Sequence, residues 1–142
     1  MRVLFDTNVV LDVLTDRQPW SADAKPLIAR ILDGKLTGYV CAISVPTLFY
    51  VARRTVGGAQ ALVAVQRTLQ TFDVAPVTRD VLEVATTMRG ADYEDHVQAA
   101  SALAAGIDTI VTRDRSGFAG TGVRPIAPAD LEAELSRGPA TP

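Results

Sequence analysis

Short apolar runs rich in β-branched residues, at 2–6, 38–43, 73–77, 107–112 and 123–126, alternate with stretches of helical periodicity. Strands separated by helices argue for an α/β fold with a parallel, doubly wound sheet. The first connection, Val9 to Lys35, has room for two helices, with Pro19-Trp20-Ser21 between them, Ser21 as a cap and Gly34 as a stop. From Ser44 to Thr71 the pattern is a helical hairpin divided at Gly57-Gly58, with Ser44 as cap and Pro46 tolerated in the first turn. Thr78 and Asp80 open a further helix ending near Arg89-Gly90. Asp95 begins the next, which Gly106 ends, and Ala127-Pro128-Ala129-Asp130 starts a terminal helix. A single domain over 1–136 and a frayed tail over 137–142 are expected.

At 142 residues and 48% hydrophobic content, one domain can bury a substantial core. The net charge of −2 rules out the broad positive field of a protein that coats nucleic acid, so any nucleic-acid substrate must be met by local basic residues. Cys41 is the only cysteine, which excludes a disulfide within the chain, and its place in Tyr39-Val40-Cys41-Ala42-Ile43 is that of a packed strand residue. Asp6 and Asp12 interrupt the first apolar segment, which is therefore neither a signal peptide nor a membrane span. A cytoplasmic protein with no membrane partner is expected.

Acidic residues sit where such a sheet would gather them. Asp6 closes the run Val3-Leu4-Phe5, Asp114 ends Ile107 to Arg113, and Asp95 stands at a helix start within Gly90-Ala91-Asp92-Tyr93-Glu94-Asp95. In an open α/β sheet the crevice outside the strand carboxyl ends is where ligands bind. Carboxylates about 4 Å apart repel by roughly 4 kcal/mol at an effective dielectric of 20, so such a cluster holds protons or binds a cation. Oxygen ligands suit Mg²⁺ or Mn²⁺ rather than zinc, and His96, the only histidine, excludes a multi-histidine site.

Asp-Thr-Asn after a first strand, Tyr-Glu-Asp opening a helix, and Thr-Arg-Asp after the fourth strand occur in an order and spacing that resemble PIN-domain ribonucleases, with the bacterial VapC-like branch most similar. The resemblance runs through residues 4–12, Ser44 to Tyr50, Asp92 to Leu103 and Val111 to Phe118. It implies a three-layer α/β/α sandwich around a central, mainly parallel five-stranded sheet. It also implies a carboxylate cluster holding Mg²⁺ or Mn²⁺, endonucleolytic cleavage of RNA, frequent homodimerisation and, for a toxin, a cognate antitoxin. Carried over by position, Asp6, Asp95 and Asp114 are the catalytic and metal-binding acids, Asn8 and Thr112 brace them, and Ser44 matches a polar residue near the rim. The glutamate common early in the third helix is absent, with Thr47 and Leu48 in its region, and Gly117 stands where many relatives carry an aspartate. Asp92 is the preferred replacement metal ligand, with Glu94 beside it in support, and Arg113 and Arg115 would meet RNA phosphates.

Each residue also has a plainer reading. Asp6 can cap a helix, Asp95 can serve the helix dipole, Asp114 can begin a turn, Arg53-Arg54 can face solvent, and Trp20 and Tyr50 can pack rather than stack on bases. A haloacid-dehalogenase-like phosphohydrolase would need a second aspartate where Asn8 stands. It would also need a later lysine, as would a receiver domain, and the only lysines are Lys25 and Lys35. The non-enzyme alternative is a PIN-like module that binds RNA or protein without cutting.

Overall fold

The computed structural model describes residues 1–139. Its elements are β1 (Arg2–Phe5), α1 (Thr7–Leu14), α2 (Trp20–Leu32), β2 (Thr37–Cys41), α3 (Ser44–Val56), α4 (Gly58–Thr71), β3 (Asp73–Ala75), α5 (Arg79–Ala85), α6 (Tyr93–Ala104), β4 (Thr109–Val111), β5 (Arg124–Ile126) and α7 (Pro128–Arg137). Of the tail expected beyond position 136, Arg137 ends α7, Gly138 follows it, and positions 140–142 lie outside the described residues.

The five strands run in the order β3-β2-β1-β4-β5, and every pairing is parallel. The chain builds outward from β1 to β3, then returns to place β4 on the other flank of β1. The strand order therefore reverses between β1 and β4, and a crevice opens there beyond their carboxyl ends. The edge strands β3 and β5 are three residues each, and β5 carries Pro125.

Burial of both sheet faces explains why the central strands β1 and β4 read as apolar runs. Val3 and Phe5 point into one layer with Val9, Leu27, Leu48, Phe72 and Leu131, where the Phe5 and Phe72 rings meet edge to face at 5.1 Å. Leu4 points into the other with Cys41, Val97, Ala99, Ile110 and Phe118. The result is the expected α/β/α sandwich, with α5 and α6 over one face and α1, α2, α3 and α7 contributing to the other. Among the described residues no helix is long and apolar enough to cross a membrane.

Local differences from the sequence expectation have local causes. Ser21 lies inside α2 rather than at its cap, because its hydroxyl donates to Asp16 Oδ1 at 2.9 Å. Ser44 is likewise within α3, after Ile43, and its Oγ accepts from Thr7 Oγ1 at 2.6 Å. α5 stops at Ala85, short of Arg89, where the hydroxyls of Thr86 and Thr87 donate back to the carbonyls of Glu83 and Val84 and favour a turn over further helix. α6 starts at Tyr93 rather than Asp95, since the carboxylate of Asp92 accepts the Asp95 N–H at 3.2 Å and caps the helix.

Candidate acidic site at the strand carboxyl ends

β1 and β4 bring the first and third acidic segments together. The Asp6 N–H donates to the Val111 carbonyl at 2.9 Å, continuing the ladder one residue past the strand, and the chain then turns directly into α1. Asp6 is only 5% exposed. Both its carboxylate oxygens accept hydrogen bonds, Oδ2 from Thr112 Oγ1 at 2.8 Å and Oδ1 from Gln98 Nε2 at 3.1 Å. The same Thr112 oxygen accepts the Asp114 N–H at 3.0 Å, so one hydroxyl links two of the acids. We expect Thr112→Val to lower stability by about 1–3 kcal/mol, because it leaves both groups short of a partner. Urea denaturation measures this, and an unchanged midpoint would show that the link contributes nothing.

α6 supplies the second acid. Asp95 and Gln98 are one turn apart and face the same way, toward Asp6. Burial pushes the Asp95 carboxyl up to about 7, and the charges of Asp6, Asp92, Asp114 and Glu94 add to the shift in that order. Glu94 is raised as well, by burial first and then by Asp92 and Asp6. Asp114 behaves oppositely. It is exposed, and the Ser116 hydroxyl at 2.6 Å, followed by the Gly117 N–H, holds its pKa below the usual value. Opposite shifts in adjoining carboxyls separate a proton-holding group from a permanently charged one.

A glycine packs closely against these acids. A Cβ at Gly117 would overlap Asp95 Oδ2 and stand 3.3 Å from Asp114 Oδ2, so the 3₁₀ turn Ser116–Phe118 sits against both acids only because position 117 lacks a side chain.

Other sequence candidates lie at varied distances from this centre. Asp92 is engaged as the α6 cap but adds its charge to the group. Ser44 is fully buried beneath the crevice on Thr7 rather than at its rim, since the Thr7 hydroxyl beside Asp6 draws it inward. Asn8 is exposed on the first turn of α1, and the side-chain bonds to Asp6 come from Thr112 and Gln98. Arg113 turns away from the crevice to Asp12, and Arg115 pairs with Asp130. Gln98 is the residue that sequence reasoning missed. It is 1% exposed, and its Oε1 is buried with no hydrogen-bond partner while its amide nitrogen serves Asp6.

A divalent cation fits the chemistry of this donor set. Burial and then four neighbouring carboxyls raise the proton affinity of Asp95, and an unpaired amide oxygen, Gln98 Oε1, stands beside Asp6. Among the described residues, however, no group of three or more acidic, histidine or cysteine side chains is arranged so that it could hold a metal ion. The side chains that face the crevice offer oxygen donors only, from Asp6, Asp95, Asp114 and Gln98.

A parallel five-stranded sheet with clustered acids at its switch point defines an α/β protein with a carboxylate site. The PIN domain model matches residues 2–116, and the chain belongs to that family. No curated protein matches it in sequence. Its fold is similar to those of three solved structures. DNA-bound VapBC from Salmonella typhimurium has a TM-score of 0.70 at 15% identity, covering 90% of this chain and 98% of that one. VapBC2 from Rickettsia felis, bound to a promoter DNA fragment, gives 0.68 at 12%, covering 89% and 98%. VapC20 from Mycobacterium tuberculosis, described as a Sarcin-Ricin loop cleaving toxin, gives 0.67 at 19%, covering 85% and 96%.

Proposed function

We propose that this protein is a Mg²⁺- or Mn²⁺-dependent endoribonuclease and the toxin of a toxin–antitoxin pair. The observation that carries the reading is Asp95, a half-buried carboxyl at the β1/β4 switch point whose pKa is raised to about 7 by burial first and then by four other acids. Such a group gives up its proton readily to a bound cation and stays neutral without one. Asp6, Asp95 and Asp114 would hold the cation, with Asp92 adding negative charge at the rim. When bound, a divalent cation polarises the scissile phosphate and lowers the pKa of a water. Thr112 and Gln98 fix both oxygens of Asp6, so its carboxylate is oriented before substrate arrives. Glu94, at the rim with a raised proton affinity, is the neighbouring carboxylate that accepts a proton from the attacking water.

RNA is the proposed substrate, an antitoxin protein the proposed partner, and a homodimer the proposed assembly, each supported by the family and by the fold shared with VapC proteins. The open ligand set favours one second reading, a PIN-like module that binds RNA or protein without cutting. The phosphohydrolase alternative gains nothing, since Lys25 pairs with Asp16 on the α2 side of the fold. Purified protein should cut a mixed RNA set in Mn²⁺ or Mg²⁺ and stop with EDTA. Asp95→Asn should be inactive, and Glu94→Gln should be slowed most at high pH, where the wild-type Glu94 is ionised and can accept a proton. Absence of cutting by the wild type in either metal would sink the nuclease reading in favour of the binding module. Co-expression with the product of an adjacent gene should yield a complex that no longer cuts, and free activity in that mixture would count against the toxin assignment.

A further inference from the structure

One charged group deep in the fold takes no part in the acidic site. Asp12 stands on α1 among Val9, Val10 and Leu11 and is 1% exposed. Burial raises its pKa, against the lowering effect of Arg113 and then Arg17, and the charge of Asp6 raises it further. Arg113 reaches it from the loop after β4. Nε lies 2.7 Å from Asp12 Oδ2, out of line for a hydrogen bond, and Nη2 donates to Oδ1 at 3.2 Å. The guanidinium lies over the Trp20 ring with 4.1 Å between Cζ and the ring centroid, while Arg17 Nη1 is 3.9 Å from Asp12.

These contacts hold the guanidinium between the Asp12 carboxylate and the Trp20 ring. An apolar residue at position 12 would bury at lower cost than an ion pair, so stability alone gives weak reason for a carboxylate there. Location gives a better one. Arg113 stands between Thr112, which bonds both Asp6 and the Asp114 N–H, and Asp114 itself. Clamping its side chain to α1 and α2 sets the height of this loop against β1.

We propose that Asp12, Arg113 and Trp20 form a positioning device that holds Thr112 and Asp114 in register with Asp6. This rests on the nuclease reading above for its catalytic meaning, but not for its structural content. Arg113 is then a positioning residue rather than the phosphate-binding residue expected from its place beside Asp114.

The test uses the full chain with Asp12→Asn, Arg113→Lys, Arg113→Gln and the double variant Asp12→Asn/Arg113→Gln. Cleavage of an RNA oligonucleotide in Mn²⁺ gives kcat, KM and their salt dependence. Asp12→Asn and Arg113→Gln should each lower kcat by on the order of a hundredfold, as a site displaced by about 1 Å does. KM and the salt slope should hold, Arg113→Lys should recover part of the loss, and the double variant should be no worse than the poorer single one. Arg113→Gln leaves Asp12 buried without its main partner and can unfold, whereas the double variant removes both charges and keeps the comparison open. A raised KM with a shallower salt slope on Arg113→Gln, and a wild-type kcat in Asp12→Asn, would overturn the proposal and make Arg113 a phosphate contact. Amide exchange decides the matter independently of activity. In Asp12→Asn the Asp114 N–H should exchange about tenfold faster at unchanged global stability, as local opening of the loop requires. Fluorescence of Trp20, the only tryptophan, should shift with it. Unchanged exchange and fluorescence would sink the device even if the wild type cuts RNA. Faster exchange in a wild type that cuts nothing would uphold the device and fail the nuclease.

Discussion

Asp95→Asn is expected to abolish RNA cleavage and, at pH 8 without metal, to raise the melting temperature. The sign follows from linkage. The Asp95 carboxyl has a folded pKa of about 7 against an ordinary value of 3.8, so between these values the folded state binds more protons than the unfolded one. Stability therefore falls as pH rises through that window, and the penalty is complete above about 7. Below the unfolded value both states are protonated and the residue costs nothing. Three pKa units would be worth about 4 kcal/mol if fully expressed. Asp95 is half-exposed, and solvent screening reduces this to about 1 kcal/mol. That corresponds to a rise of about 2–6 °C for a chain of this size. Thermal melts of the two proteins should diverge at pH 8 and meet at pH 4. Mn²⁺ should raise the melting temperature of the wild type alone, because a ligand stabilises only the state that binds it. Identical melts at both pH values would mean that the surrounding acids do not strain Asp95, and residual cutting by the variant would remove it from the catalytic set.

Gly117→Ala should give the opposite combination, near-normal stability with a large loss of activity. Gly117 is not among the glycines with positive φ, so alanine meets no backbone strain there. What it meets is Asp95 Oδ2, at the end of a short side chain that can rotate aside. Relief of the clash is cheap for the fold, and we expect a change within about 0.5 kcal/mol. It is costly for the site, because Asp95 moves away from Asp6 and Asp114. A loss of kcat on the order of a hundredfold is expected from such a displacement. Single-turnover cleavage beside a denaturant melt separates the two effects. An active Gly117→Ala protein would show that the approach of the turn to Asp95 has no catalytic meaning. A bulkier aspartate at this position would require the same displacement and bring a further charge.

The central strands β1 and β4 were legible because both of their faces are buried behind apolar side chains, whereas the edge strands β3 and β5 begin at exposed Asp73 and Arg124 and stand out through their flanking pattern. Helix ends were less so. At Thr86-Thr87 the helical pattern continues on paper, but hydroxyls that bond backward end α5 at Ala85. Asp92 and Asp95 are both plausible caps by composition, and only the bond from the Asp95 N–H to Asp92 chooses between them. Gln98 carried a usable signal, since a polar residue three positions after Asp95 in an alanine-rich helix shares its face. Asp12 carried half of one. An acid within an apolar helical stripe demands a partner, yet Arg113 lies 101 residues away and no local pattern points to it. For the same reason Arg113 read as a free basic residue near the site.

The edges of the sheet bear on how any other chain can dock. A peptide that binds by adding a strand needs a run of unpaired backbone donors and acceptors, and β3 and β5 offer three residues each. At β5 one of these is Pro125, which has no N–H to give. Backbone-templated recognition therefore has little purchase here, and neither does stacking of one sheet on the rim of another. Whatever binds this protein must read its side chains, so its specificity is written in the helices and loops and can diverge while the sheet stays constant.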